Sequence, residues 1–272
     1  MAARAAGICQ QIDALDCDEP AIAYALEHGI IDTQASGLEE LVSADTLVVI
    51  ATPVSLIADM VAKLWHQAQS KGLSSFYITD VGSVKRSAIE LVRAEIGLSP
   101  SGFIPAHPIA GSEKNGVEHA QVDLLKNKKV ILTPTDESAG EAVDLVTEFW
   151  QAMGAKTEQM SALLHDEIYA ATSHLPHILS FAYVQQMHEM NRRCPVFDNV
   201  GSGFRDFTRI AASEPAVWSD ILLSNKDVIL PLIEDNIEHL KHITSLISTG
   251  NNTALIDYLA VVRDIRQQIN GK

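Results

Sequence analysis

The sequence has little cysteine, few cations and no long apolar run. Its three cysteines, Cys9, Cys17 and Cys194, form no framework and no CxxC pair. An odd count of this kind suits a reducing cytosol, so a cytoplasmic protein is expected. Lys and Arg total 20 against 35 Asp and Glu, a net charge of −15. That balance excludes nucleic acid or an anionic membrane as the main partner. Small anionic substrates stay open, because a few local cations can hold them. The longest apolar stretch, Thr46 to Ala58, contains Pro53 and hydroxyl residues. It is shorter than the ~20 residues of a spanning helix. The N-terminus has no cationic segment leading into an apolar one, so no signal peptide is expected.

What is present is enough for a core. Hydrophobic residues make up 47% and charged residues 20%, which excludes an intrinsically disordered chain. The first part alternates helix and strand patterns. Helices are expected at Ala21–His28, Ser55–Lys71, Val84–Ile96 and Glu137–Met153, stopped by Gly29, Gly72, Gly97 and Gly154. Strands are expected at Thr46–Ala51, Ser75–Thr79, Phe103–Ala106 and Lys129–Leu132. The run TLVVIA reads as a strand buried on both faces of a parallel sheet. After about Ser161 only long helical patterns follow: Ala162–Met190, Ala216–Leu223, Lys226–Ile247 and Thr253–Ile269. The expected fold is α/β: a Rossmann-type parallel-sheet domain over 1–158, followed by an all-helical domain over 159–272.

One expected piece is missing. A dinucleotide domain opens with a strand and a GxGxxG turn, where a pyrophosphate meets a helix N-terminus. The sole GxG here, Gly201-Ser202-Gly203, lies in the helical half. Gln11–Leu15 nevertheless reads as a second strand ending at Asp16, the position from which an acid hydrogen-bonds the adenine ribose. Residues 1–7 read as the tail of the preceding helix. The chain is therefore expected to start inside a dinucleotide domain, that is, N-terminally truncated. The competing reading makes Asp16 one of several surface acids in DALDCDE.

Three clusters and an arginine pair carry the chemistry. Asp80-Val81-Gly82-Ser83-Val84-Lys85 follows a strand, where open α/β sheets place ligands. There Ser83 serves either a substrate contact or a helix cap. His107-Pro108-Ile109-Ala110-Gly111-Ser112-Glu113-Lys114 follows another strand. A loop His there suits a general base, since its pKa lies near the operating pH; the alternative is a loop His without a role. Ser173-His174-Leu175-Pro176-His177 falls inside a helical pattern, with Ser173 and His177 four apart on one face. No metal is expected, because no third ligand is suitably spaced beside His174 and His177. Pro176 deprives the carbonyl of residue 172 of its donor and is placed to kink the helix. In GFRDFTR, two arginines can hold a carboxylate bidentately. Arg205, beside Asp206, is read as the structural one of the two.

DVGSVK, HPIAGSEKNGVE, ATSHLPH and GFRDFTRIAAS, in this order, resemble the TyrA family of prephenate and arogenate (cyclohexadienyl) dehydrogenases. The resemblance runs from the Asp16 strand end to the last helix. It departs at the absent first strand and glycine-rich turn. It implies NAD-dependent oxidative decarboxylation of prephenate to 4-hydroxyphenylpyruvate in tyrosine biosynthesis. The alternatives are arogenate oxidation giving tyrosine, or a truncated, non-catalytic form that binds NAD poorly. It further implies His107 as the base or hydrogen-bond acceptor, with Ser83 orienting it. Arg209 would hold a substrate carboxylate. His177 and Ser173 would line the pocket, with Ser112 and Glu113 at its edge. The cofactor would lie along Asp16, Thr52, Pro53 and Asp80. Asp16 implies NAD over NADP, because a carboxylate repels a 2′-phosphate and Cys17 supplies no cation. The helical domain of this family pairs two chains, so a homodimer is expected.

Overall fold

The computed structural model describes residues 1–44, 46–111 and 116–270. The elements run α1 (Ala2–Ala6), β1 (Asp13–Ala14), α2 (Glu19–Glu27), β2 (Thr33–Gln34), β3 (Leu47–Ile50), α3 (Val54–Ser70), β4 (Tyr77–Asp80) and α4 (Arg86–Ile96). They continue with β5 (Phe103–Ile104), β6 (Ala106–Pro108), β7 (Lys129–Leu132), α5 (Gly140–Ala152) and β8 (Lys156–Gln159). Helices complete the chain: α6 (Ala162–Tyr169), α7 (Leu175–Asn191), α8 (Ser202–Thr208), α9 (Pro215–Ser224), α10 (Lys226–Ser248) and α11 (Asn252–Asn270). Two compact units divide after Lys226. That point falls later than the change of pattern near Ser161, because α9 joins the α/β core: Ile221 and Trp218 pack in the same cluster as Ile57, Val61 and Ile78.

Strands β1 and β2 pair in parallel, and β3, β4 and β5 form a parallel three-stranded sheet. The parallel expectation fails at one place. The predicted strand Phe103–Ala106 is two strands, and β6 runs antiparallel to β7, while β7 and β8 are parallel. Pro105 sits at the break and has no N–H to give a ladder. Phe103 and Ile104, pointing to opposite faces as neighbours in a strand must, feed two separate cores. Phe103 joins the α3 and α4 side, and Ile104 joins Val130, Leu132, Val146 and Trp150 on the α5 side. Helices thus cover both faces. The expectation that β3 is buried throughout is corrected at Val49, 38% exposed, since β3 is an edge strand.

Helix α3 forms because Val54, Ile57, Ala58, Val61, Ala62 and Leu64 recur at helical spacing, and all are buried. Helix α4 buries Ala88, Ile89 and Val92 in the same way and stops at Gly97, whose φ of +82° suits a residue without Cβ. The predicted helix Ala162–Met190 is interrupted. A π-helical turn, Ala170–His174, separates α6 from α7. Pro176, in the first turn of α7, has no N–H for the carbonyl of residue 172, and the wider turn falls where that bond is lost. Within Asp227–Lys272, α10 and α11 leave apolar side chains uncovered, among them Leu230, Leu240, Ile247, Leu259, Ile265 and Ile269. Among the described residues no helix is long and apolar enough to cross a membrane.

Candidate active site

The site is assembled around the start of α4 and of β6. Lys85 is wholly buried, and its ammonium pairs with the buried Asp80 carboxylate at the carboxyl end of β4. The same ammonium donates to the Ala106 carbonyl at 2.8 Å. Asp80 in turn accepts from the Ala106 N–H at 3.0 Å and the Gly82 N–H at 2.9 Å. Asp80 was expected along the cofactor, but its side chain has no exposed surface with which to touch one. Its carboxylate is spent on Lys85, Gly82 and Ala106. Gly82 has no room to be otherwise. A Cβ there would stand 2.6 Å from Ile57 Cδ1 and 2.9 Å from the fixed Asp80 Oδ2.

This clamp fixes the residue next to Ala106, His107. Its ring Nδ1 lies 2.8 Å from Nε2 of the buried His165, and His165 Nδ1 lies 2.7 Å from Asp166 Oδ1. Asp166 also accepts from the N–H groups of Lys85 and Arg86, each at 2.9 Å. It therefore caps α4, the part assigned to Ser83 from sequence. No side chain of the local sequence caps that helix, and Ser83 remains half-buried in the loop before it. Tyr169 lies with its ring centroid 5.0 Å from that of His107 and 4.6 Å from that of His165. Desolvation pushes His107 well below the usual histidine range, helped by His165, Lys85 and His174. His165 is pushed down by burial too, against the upward pull of Asp166.

A second group follows on α7 and α9. Asn225 Nδ2 donates to the Asp166 carbonyl at 3.1 Å and lies 3.3 Å from His174 Nδ1. His174 falls to about 4, first because it is buried. An amide N–H aimed at Nδ1 also leaves no place for a second proton. His177 donates from Nδ1 to the Ser173 carbonyl at 2.8 Å and stacks on Trp218 with centroids 3.5 Å apart. Arg209, exposed at the end of α8, is near enough for its charge to lower His177. Lys85 acts by charge on His107 and His165, His165 on His107 and His174, His177 on His174, His174 on His107, and Arg209 on His177.

The structure therefore ties His107 to His177 through His174 and Arg209 to His177, while Ser173 enters through its carbonyl, which accepts from His177. Arg205 instead donates to the Val200 carbonyl at 3.1 Å, a backbone bond rather than the expected ion pair. Asp16 follows β1, exposed, with one oxygen accepting from the Asp18 N–H at 2.9 Å. Thr52 and Pro53 form the turn into α3, whose Ser55 N–H points at Asp220 of α9, 3.2 Å away. Ser112 and Glu113 lie outside the described residues. Sequence reasoning missed His165, Asp166, Asn225 and Trp218. None sits in a motif, and only their distance from their partners in the chain gives them meaning.

The family described as the prephenate dehydrogenase nucleotide-binding domain matches residues 1–159, and its dimerization domain matches 161–261. The chain belongs to the prephenate dehydrogenase family. A prephenate dehydrogenase of Bacillus subtilis is 35% identical over 92% of this chain and 66% of its own length. A cyclohexadienyl dehydrogenase of Zymomonas mobilis is 32% identical over 84% of this chain and 76% of its own. This prephenate dehydrogenase family chain thus spans about two thirds of the Bacillus relative. The crystal structure of the Aquifex aeolicus prephenate dehydrogenase, with hydroxyphenyl propionate and NAD+, superposes with a TM-score of 0.88 at 34% identity. That likeness covers 98% of this chain and 92% of the other. A Synechocystis arogenate dehydrogenase gives 0.74 at 25% identity, over 94% and 90%. The Rossmann-type domain followed by a helical one is the fold of this family.

Proposed function

We propose that the chain oxidises prephenate to 4-hydroxyphenylpyruvate and CO2 with NAD, with His107 as proton acceptor. The observation that carries this is the His107 ring. It is held at Nδ1 by His165, is neutral by desolvation, and is joined by charge to His174, which His177 acts on, as Arg209 acts on His177. His107 would take the proton of the ring hydroxyl as that carbon becomes a carbonyl. It would return the proton to the oxygen when CO2 leaves and the ring becomes aromatic, so no proton is consumed. Arg209 would hold a substrate carboxylate, Ser173 and His177 would line the ring's pocket, and Ser83 would orient the hydroxyl. Ser112 and Glu113 are proposed at the edge of that pocket. The Zymomonas and Synechocystis likenesses favour a second substrate, arogenate, which carries the same ring.

The residues present fit NAD. Asp16 offers an exposed carboxylate, the acceptor that ribose hydroxyls need, and Thr52 and Pro53 lie exposed or half-exposed beyond the carboxyl end of β3. When bound, the nicotinamide supplies the hydride acceptor. Residues 1–158 would form the dinucleotide domain and 159–272 the substrate and dimerisation domain. The exposed apolar residues of α10 and α11 support a homodimer, and the three free thiols suit the cytoplasm. The test is turnover of prephenate and arogenate with NAD and NADP, for the wild type and His107→Asn. A fall in kcat of about 10²–10⁴-fold with little change in KM is expected. Normal turnover in His107→Asn across pH 6–9 would overturn the assignment.

A further inference from the structure

We propose that His165 and Asp166 are positioning residues that set the tautomer of His107. Asp166 orients His165, and His165 holds the His107 proton on Nδ1, leaving Nε2 bare for the substrate. The inference rests on the reading of His107 as proton acceptor, but its geometry stands apart from any substrate.

The proton count runs in one direction. At neutral pH an aspartate carboxylate only accepts. Its two oxygens already meet the Lys85 and Arg86 N–H groups at the start of α4, where a negative charge is favoured. The His165 Nδ1, 2.7 Å from Asp166 Oδ1, must therefore carry the proton of that contact. A neutral imidazole with a proton on Nδ1 has a lone pair on Nε2. His107 Nδ1, 2.8 Å from that lone pair, must then be the donor, and the His107 lone pair is left on Nε2. Reversing His107 would set two lone pairs face to face. Reversing His165 would set its bare Nδ1 against a carboxylate.

The surroundings keep the order fixed. His165 has no exposed surface and Asp166 has 1%, so water cannot substitute for either partner. Asp166 cannot drift, because α4 holds its side chain and Asn225 holds its carbonyl. His107 cannot drift, because Asp80 and Lys85 hold the Ala106 peptide before it. When His107 gains a second proton on Nε2, the Asp166 charge lies one ring away to offset it. A ring oriented through a second side chain is a common way to fix which nitrogen reacts.

The test reads the tautomer directly. Chain labelled with 15N-histidine is examined by long-range 1H–15N NMR at neutral pH, and the His107 signals are identified by their loss in His107→Asn. The expected result is a protonated Nδ1 and a bare Nε2. A proton on Nε2 overturns the proposal, whatever the catalytic role of His107. Kinetics give the second arm. His165→Leu should lower kcat at least about tenfold with KM for prephenate within about threefold, since the base remains but loses its alignment. His165→Gln, which keeps an acceptor for His107, should recover most of that loss. Unchanged kcat in His165→Leu, with His107→Asn inactive, would also overturn it. Should His165→Leu fail to fold, the wild-type spectrum and the Gln variant still decide.

Discussion

Asp80 and Lys85 grip the Ala106 peptide from both sides: the carboxylate takes its N–H and the ammonium gives to its carbonyl. Both side chains are fully buried. Removing one partner of such a pair leaves an uncompensated charge, at a cost of about 3–5 kcal/mol. Lys85→Met should therefore destabilise the protein by about that much in urea unfolding, and lower activity in whatever stays folded. Asp80→Asn combined with Lys85→Met should recover a large part. A Lys85→Met protein within about 1 kcal/mol of wild type would mean the clamp holds nothing.

Arg209 and Arg205 should separate cleanly. On the proposed role of Arg209, Arg209→Ala removes a charged hydrogen bond to a substrate carboxylate, at about 2–5 kcal/mol for a desolvated site. Arg209 is exposed, so water screens it and the low end applies. KM for prephenate should rise roughly 30-fold, with a smaller fall in kcat. Arg209→Lys should recover little, since an ammonium lacks the two parallel donors. Arg205→Ala loses its bond to the Val200 carbonyl and should cost about 1 kcal/mol of stability with KM near normal. Steady-state kinetics showing the reverse pattern would exchange the two roles.

Acid should weaken the fold before it protonates the carboxylates. His174 falls from 6.5 to about 4 in the folded protein, and His107 and His165 fall as well. A lowered histidine means that the unfolded chain binds more protons than the folded one below pH 6.5. Stability is then fully present above pH 6.5 and is lost as pH drops toward 4. His174 alone accounts for about 3 kcal/mol of that loss. Urea midpoints at pH 7.5 and pH 5 measure it. His174→Gln should flatten the curve, and an unchanged midpoint between the two pH values would contradict the burial argument.

Asp16 should govern the choice of cofactor. Asp16→Ala should raise KM for NAD roughly tenfold, the loss of about one charged hydrogen bond. It should also narrow the preference for NAD over NADP, because the repulsion of a 2′-phosphate goes with it. The ratio of kcat/KM values for the two cofactors is the measurement. An unchanged ratio would return Asp16 to the surface acids of DALDCDE.

Much of the fold was legible because its signals are local. Lys129–Leu132 has the bounds its β-branched run suggests, and Gly97 stops α4 where expected. Strand β8, with the sequence Lys156–Gln159, escaped notice because it is polar and has no apolar alternation. Strand β2 is only Thr33–Gln34. The candidate site was legible at His107 and Arg209 through the motifs around them, although His107 lies within strand β6 rather than in the loop expected. It was hidden at His165 and Asp166, which read as ordinary positions of the helix ALLHDEIY. Their meaning lies in His107 and in the Lys85 and Arg86 amides, which are 58 and about 80 residues away. The Ser83 cap failed for the same reason: a distant carboxylate took the amides first.

The π-helical turn before α7 turns residue count into a constraint. A π turn holds about one residue more than an α turn, because its bonds span i to i+5 rather than i to i+4. Removing one residue between Ala170 and His174 would let it close to an α turn and leave α7 nearly in phase. Inserting one has no such outlet. Each residue advances a helix by about 100°, so every later side chain of α7 would swing by that angle. His177 would leave the face of Trp218, and Ser180 would lose the Phe207 carbonyl it reaches at 3.0 Å. A one-residue deletion within Ala170–His174 should thus be far better tolerated than a one-residue insertion.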